Sequence, residues 1–98
     1  MSITTLTQNN NFTIKINKRF DFAINEEFLA SFQSVESAAN FIIDLSSCEY
    51  MDSSALGMLL QLREFVNKDK SKLQIIQCSK EIKKTLKLAG FDSIFKVS

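Results

Sequence analysis

The residues in this chain most able to do chemistry are Asp52, Ser53 and Ser54. An acid and two hydroxyls stand in a row after a short apolar segment, Phe41-Ile42-Ile43-Asp44-Leu45. An apolar run follows, carrying Leu56, Leu59, Leu60, Phe65 and Val66, with Met58 and Leu62 flanking. The pattern predicts strand, polar turn and helix, which puts the three residues at a helix N-terminus. Unpaired backbone N–H groups and the positive end of the helix dipole collect there. One serine is expected to act as the N-cap, a contribution of ~1 kcal/mol. The other keeps an exposed hydroxyl beside Asp52. The chain supplies no base to activate it, because it contains no His and neither serine stands in an S-x-x-K spacing. Ser-His-Asp triads, Cys-His pairs and His-ligated metal sites are excluded within this chain. Activation by a lysine brought close in the fold stays open, and a partner enzyme could act on the hydroxyl instead. A phosphate on it would add ~ −1.5 to −2 charges. The helix dipole tolerates that charge, whereas Asp52 and any acidic partner surface repel it. The expected result is a change of binding partner with little change of fold.

The elements that must hold this junction follow from periodicity. Residues 2–7 and 12–18 read as two strands, with Phe12, Ile14 and Ile16 alternating against Thr13, Lys15 and Asn17. The polar Thr7–Asn11 stretch joins them as a hairpin. Lys18–Ala23 reads as a connection. Asn25 is the expected N-cap of a first helix with Glu26 and Glu27 in its first turn, and Phe28, Leu29, Phe32 and Val35 form its core stripe. Gln33–Asn40 returns the chain to the sheet. Phe41–Leu45 reads as a central parallel strand covered by helices on each side, with Asp44 either buried on a partner or facing solvent.

The second helix runs from Ser54 to about Asn67, and a charged turn, Asn67–Lys72, follows it. Leu73–Cys78 is the next strand, parallel to Phe41–Leu45 through a right-handed crossover. Ser79 is the expected N-cap of the last helix. Its stripe is Ile82, Leu86 and Ala89, and Lys80, Lys83, Lys84 and Lys87 form either a solvated face or a surface for an acidic partner. Gly90 is placed for a left-handed C-cap, and Phe91–Val97 forms a closing turn or strand.

Composition bounds the rest. Ninety-eight residues are expected to form a single domain over 1–98, with a modest core and little room for a deep cleft. A formal charge of +1 gives no field to attract nucleic acid or an anionic membrane. No apolar run reaches the ~18 residues of a membrane span, and Met1–Leu6 lacks the pattern of a signal peptide. A cytoplasmic location is the expectation. Cys48 and Cys78 form no CxxC motif and read as half-buried thiols rather than a redox pair.

At the junction the chain resembles a known family. Met51-Asp52-Ser53-Ser54-Ala55-Leu56-Gly57, following Phe41-Ile42-Ile43-Asp44-Leu45-Ser46, is similar to the signature of STAS domains, the anti-sigma factor antagonists. The likeness extends over nearly the whole chain, including Arg19-Phe20-Asp21, and is nearest to the HsbA-type bacterial members. Ala55 stands where many relatives have Gly, and Lys18 where relatives often have Gly before the Asp21 turn. The resemblance implies an α/β fold, a STAS-like mixed sheet of four to five strands with flanking helices. It implies no catalytic residue, cofactor or metal. It also implies partner switching. Ser54 is the phosphoacceptor of a serine kinase that has a histidine-kinase-like ATP fold and doubles as an anti-sigma factor, and a PP2C-type phosphatase resets it. Asp21, Asp52, Ser53 and Met58 join Ser54 on the partner surface. STAS domains also serve as subunits of membrane transport assemblies or as small-ligand modules, and that is the alternative reading.

Overall fold

A computed structural model describes residues 2–35 and 39–98. The polar return between the first helix and the sheet lies partly outside those residues. In chain order the elements are β1 (Ile3–Gln8), β2 (Asn11–Ile16), β3 (Lys18–Phe20), α1 (Asn25–Gln33), β4 (Asn40–Asp44), β5 (Cys48–Met51), α2 (Ser53–Phe65), β6 (Leu73–Ile76), α3 (Lys80–Leu88) and β7 (Lys96–Val97). Five strands make one mixed sheet in the order β1-β2-β4-β6-β7, while β3 and β5 pair as a separate two-stranded ribbon. The β1–β2 hairpin is antiparallel; β2–β4, β4–β6 and β6–β7 are parallel. The predicted crossover from β4 through α2 to β6 is thus present.

Register explains where the core sits. Phe12, Phe41 and Leu73 lie side by side across the sheet, as do Ile14, Ile43 and Ile75, and all six are buried. Side chains alternate faces along a strand, so Thr13, Ile42 and Gln74 form a row on the opposite face, with Lys15, Asp44 and Ile76 beside them. These six are only half-buried. The expectation of helices covering both faces of β4 is therefore corrected: one face is closed and the other stays half open. Asp44 is half-buried, and its carboxylate accepts the Ser46 N–H at 2.8 Å.

The closed face is built from aromatic rings. Phe28 and Phe32 of α1, one turn apart, are 5.6 Å between centroids, and Phe32 meets Phe65 of α2 at 5.2 Å. Phe41 of β4 lies 6.0 Å from Phe65 and 6.5 Å from Phe32. Edge-on rings at such separations stabilise by ~0.5–1.5 kcal/mol beyond area burial. At the other end of the chain, Phe91 and Phe95 are buried and β7 zips onto β6. Gly90 takes φ +79°, the left-handed C-cap expected after α3, while Ala89 is exposed and does not extend the buried stripe.

Three local expectations change. Asn25 does not cap α1. Asp21 caps a short 3-10 turn, Phe22–Ile24, by accepting the Ala23 N–H at 3.1 Å, and α1 grows from the end of that turn. Lys18–Phe20 is a strand rather than a plain connection. In α2 the buried residues are Ala55, Met58, Leu59 and Leu62, whereas Leu60 is 41% exposed.

The strand from β2 into β3 passes through Lys18 at φ +68°, with its N–H on the Ser47 carbonyl at 2.8 Å and a register shift before Arg19. A side chain in the left-handed region costs about 1–2 kcal/mol, which glycine avoids at some expense in unfolded-state entropy. Lys18 is exposed, so little packing is lost with its side chain. Lys18→Gly is expected to raise stability by about 0.5–1 kcal/mol, read as a higher urea midpoint with an unchanged slope.

Candidate functional site

The junction is positioned by the β3–β5 ribbon. Phe20, with no exposed surface, anchors β3 by packing on Phe28 at 5.3 Å. Its carbonyl accepts the Asp52 N–H at 3.4 Å, and Phe20 pairs with Met51 in parallel register. The chain therefore leaves β5 extended (Asp52 φ −119°, ψ −175°) and turns at once into α2.

Asp52, rather than a serine, is the N-cap. Its Oδ1 accepts the Ser54 N–H at 3.0 Å and the Ser54 hydroxyl at 2.5 Å, and its backbone carbonyl accepts the Ala55 N–H at 3.1 Å. This corrects the expectation that a serine caps the helix. A carboxylate accepting two bonds in the first turn gives both the cap and the favourable charge at the positive end of the dipole. The Ser54 hydroxyl bond, first among the causes, holds the Asp52 carboxyl below its ordinary pKa, with help from the Ser54 and Ala55 N–H groups and the Arg19 charge. The hydroxyl proton points at Asp52, so the Ser54 oxygen presents its remaining lone pairs elsewhere. Ser53 is exposed and Ser54 is half-buried.

The same local geometry recurs at Asp69-Lys70-Ser71, where Asp69 accepts the Ser71 N–H at 3.0 Å and its hydroxyl at 2.6 Å. The Asp-x-Ser turn is thus a local habit of the chain. The surroundings of Ser54 are what differ. Arg19 pairs with Tyr50 across the ribbon, its guanidinium carbon 4.3 Å from the ring centre, and its Nε donates to Asp21 at 3.0 Å. The Asp21 bond leads the causes that raise the Arg19 pKa, and the Asp52 charge adds to them. Asp21 is thus paired with Arg19, and Asp52 feels the same cation through space. Beside Arg19 and Asp21 opens a hollow of about 470 Å³ that also touches Lys18 and Ala23. Tyr50 is 43% exposed and Phe22, next to Asp21 in the chain, 70%.

Met58 does not belong to this surface. It is 2% exposed and part of the core, so its predicted partner contact is corrected. The outward side of α2 is instead made by Ser53, Gly57, Leu60, Gln61 and Glu64. Arg19 and Tyr50 were not singled out as site residues from the sequence. The alternation of Arg19 and Asp21 about the apolar Phe20 was the available signal. Cys48 is buried rather than half-buried, its thiol donates to the Tyr50 carbonyl at 3.3 Å, and burial pushes its pKa up. Cys78 is half-buried and both thiols are free. Among the described residues no cluster of His, Cys, Asp and Glu could hold a metal ion, and no helix is long and apolar enough to cross a membrane.

The chain belongs to the STAS domain family, whose model matches residues 2–98. It is 36% identical over 101 residues to a STAS-domain containing protein of Pseudomonas aeruginosa (strain UCBPP-PA14), with all of both chains covered. The fold is shared with the Bacillus cell fate determinant SpoIIAA in its phosphorylated form (TM-score 0.67, 15% identity, 98% of this chain and 90% of that one). The unphosphorylated form, described as the anti-sigma factor antagonist SpoIIAA, gives a TM-score of 0.69 at 16% identity over 87% of this chain and 81% of that one. A sulfate transporter family protein from Wolinella succinogenes is also similar (TM-score 0.75, 17% identity, 94% and 79% covered).

Two outcomes follow from this geometry. Asp52 has a lowered folded pKa, so its contribution to stability is present above its unfolded value near ~3.9 and is lost as pH falls through the folded one. In Ser54→Ala the carboxyl resonance of Asp52, followed by NMR, is expected to titrate at higher pH than in the parent. The stability gap between the two proteins should close as the solution is acidified. Gly57 sits in the body of α2, and a Cβ built on it meets nothing within 4 Å. Gly57→Ala should stabilise the helix by about 0.5–1 kcal/mol, visible as a raised thermal midpoint.

Proposed function

We propose that this protein is a cytoplasmic anti-sigma factor antagonist, non-enzymatic itself, that works as a phosphorylation-controlled partner switch. In its unphosphorylated form it binds a serine kinase that doubles as an anti-sigma factor. That kinase, with a histidine-kinase-like ATP fold, transfers a phosphoryl group to Ser54. A bond forms between Ser54 Oγ and the γ-phosphorus of ATP, the bond to the bridging oxygen breaks, ADP departs and the hydroxyl proton passes to a base. A PP2C-type phosphatase restores the hydroxyl with water, releasing inorganic phosphate. Asp21, Asp52 and Ser53 form the partner surface with Ser54.

The observation that carries this reading is the Ser54 hydroxyl donating to Asp52 at 2.5 Å at the head of α2. The hydroxyl is oriented by the fold, and the carboxylate that orients it cannot coexist comfortably with a phosphate dianion. Adding ~ −1.5 to −2 charges beside two aspartates alters any interface that covers them. Membership of the STAS family supports the same role. The second reading, a constitutive subunit of a transport assembly, draws on the likeness to the sulfate transporter family protein. In that reading Ser54 and Asp52 serve only as a helix start.

A site-resolved phosphopeptide map from cells in several growth conditions separates the two. Phosphate on Ser54 is expected. Authentic Ser54 phosphoprotein should bind the co-purifying kinase at least ~100-fold more weakly than unmodified protein, a coupling of ~3 kcal/mol. Equal binding of the two forms, or an unmodified Ser54 under every condition, would move the assignment to the transport-subunit reading.

A further inference from the structure

Phosphorylation at Ser54 poses an electrostatic problem that the junction must solve. Esterifying Oγ removes the proton that now reaches Asp52 at 2.5 Å, so the hydrogen bond becomes a contact between two acceptors. The charged or titratable groups on the surrounding elements are Lys18, Arg19 and Asp21 on β3 and its turn, Glu49 and Tyr50 on β5, Asp52 at the cap, and Glu81 of α3, which shares a hollow with Glu49 and Tyr50. Among these, the cation held against the ribbon is Arg19. Tyr50 and Asp52 are two residues apart in extended chain and therefore point to the same side. Arg19 crosses to that side from the neighbouring strand and lies over the Tyr50 ring. Its long side chain remains 62% exposed and is held by Asp21, whose side chain is 17% exposed, and by the ring.

We propose that Arg19 is the group that reads the phosphate: when Ser54 is modified, the Arg19 guanidinium leaves Asp21 and pairs with the phosphate oxygens. This rests on the reading that Ser54 is the modified residue, and adds to it how the modification reshapes the surface. A guanidinium offers five N–H donors in a planar fork that matches phosphate oxygens two at a time. A dianion competes better for it than one singly charged carboxylate. The movement has two results. Asp21 keeps its bond to the Ala23 N–H but loses its counter-charge, and Tyr50 loses the guanidinium that covers it. A partner fitted to the Asp21–Arg19–Tyr50 strip then meets a bare carboxylate and an uncovered ring as well as the phosphate. The signal spreads from one hydroxyl to the neighbouring strand without a backbone change.

The test uses full-length protein with phosphoserine placed at position 54 during translation, so that it does not depend on any kinase. Phosphorus NMR follows the second ionisation of the phosphate, ordinarily near ~6, in the parent and in Arg19→Gln. A cation paired with the dianion favours it, so the parent should titrate lower than Arg19→Gln by about half a unit or more. Arg19→Lys should lie between them. In the parent, the Arg19 Nε–H resonance should move with the same midpoint as the phosphate. Arg19 is exposed, and dispersed amide spectra check that each variant is folded. Equal phosphate midpoints in the folded parent and Arg19→Gln, or an Arg19 resonance that ignores the phosphate, would overturn the proposal. Absence of Ser54 phosphate in cells would instead strike the partner-switch reading and leave the titration result standing.

Discussion

The burial of Phe20 is the constraint on which the Ser54 surface depends. A three-residue strand has too few hydrogen bonds to hold itself. Phe20 closes it by filling a place in the aromatic core against Phe28, with no exposed surface of its own. Once Phe20 is fixed, alternation sends Arg19 and Asp21 outward on either side of it. Its carbonyl takes the Asp52 N–H, and parallel pairing sets Arg19 against Tyr50. The hydroxyl, the cap, the cation and the ring are thus located by one phenyl group that touches none of the chemistry. Losing such a ring typically removes ~3–5 kcal/mol, so the site and the stability of the domain share a support.

The hairpin, the two central strands, the three helices and the crossover were legible because their signals are long. Phe12, Ile14 and Ile16 repeat with period two, and Phe28 and Phe32 fall one helical turn apart. Several features escaped for physical reasons that can be named. β3 and β5 are three and four residues long, too short for periodicity to separate from a turn. α2 is apolar around much of its circumference, so sequence alone could not decide that Met58 and Leu62 face in while Leu60 faces out. Serine and aspartate are about equally good caps; the extended backbone at Asp52 settles the choice. The Gly-to-Lys departure at Lys18, visible beside the resemblance, matched a real demand of the backbone, since φ there is +68°. The Asp52-Ser53-Ser54 junction was legible as a helix start, because only the strand-to-helix order was needed to find it; the choice of Ser54 over Ser53 came from the family resemblance.

The two Asp-x-Ser turns show how little of a site lies in its local geometry. At Ser54 and at Ser71 the carboxylate receives the same N–H and the same hydroxyl at nearly the same distances. The hydrogen bond that leads in lowering the carboxyl pKa is likewise the same in both. Yet the turn at Asp69 opens only a three-residue 3-10 helix, with Lys70 bonded to the Asp92 carbonyl. The turn at Asp52 opens a thirteen-residue helix whose exposed side carries a bare Gly57 and a half-exposed Leu60, beside a ribbon showing Tyr50.

An exposed mid-helix glycine lowers helix stability by ~1 kcal/mol relative to alanine, and among the described residues nothing approaches closely enough to require it. Apolar side chains left in water next to it stabilise nothing in the free domain. Both become intelligible if another surface comes down on this corner: the missing side chain permits close approach, and Leu60 and Tyr50 gain their burial there. The free protein is therefore less stable at this corner than its fold allows. A surface fitted to a partner, as proposed for Ser54, would carry such a deficit, and the turn at Ser71 has no counterpart to Gly57 and Leu60.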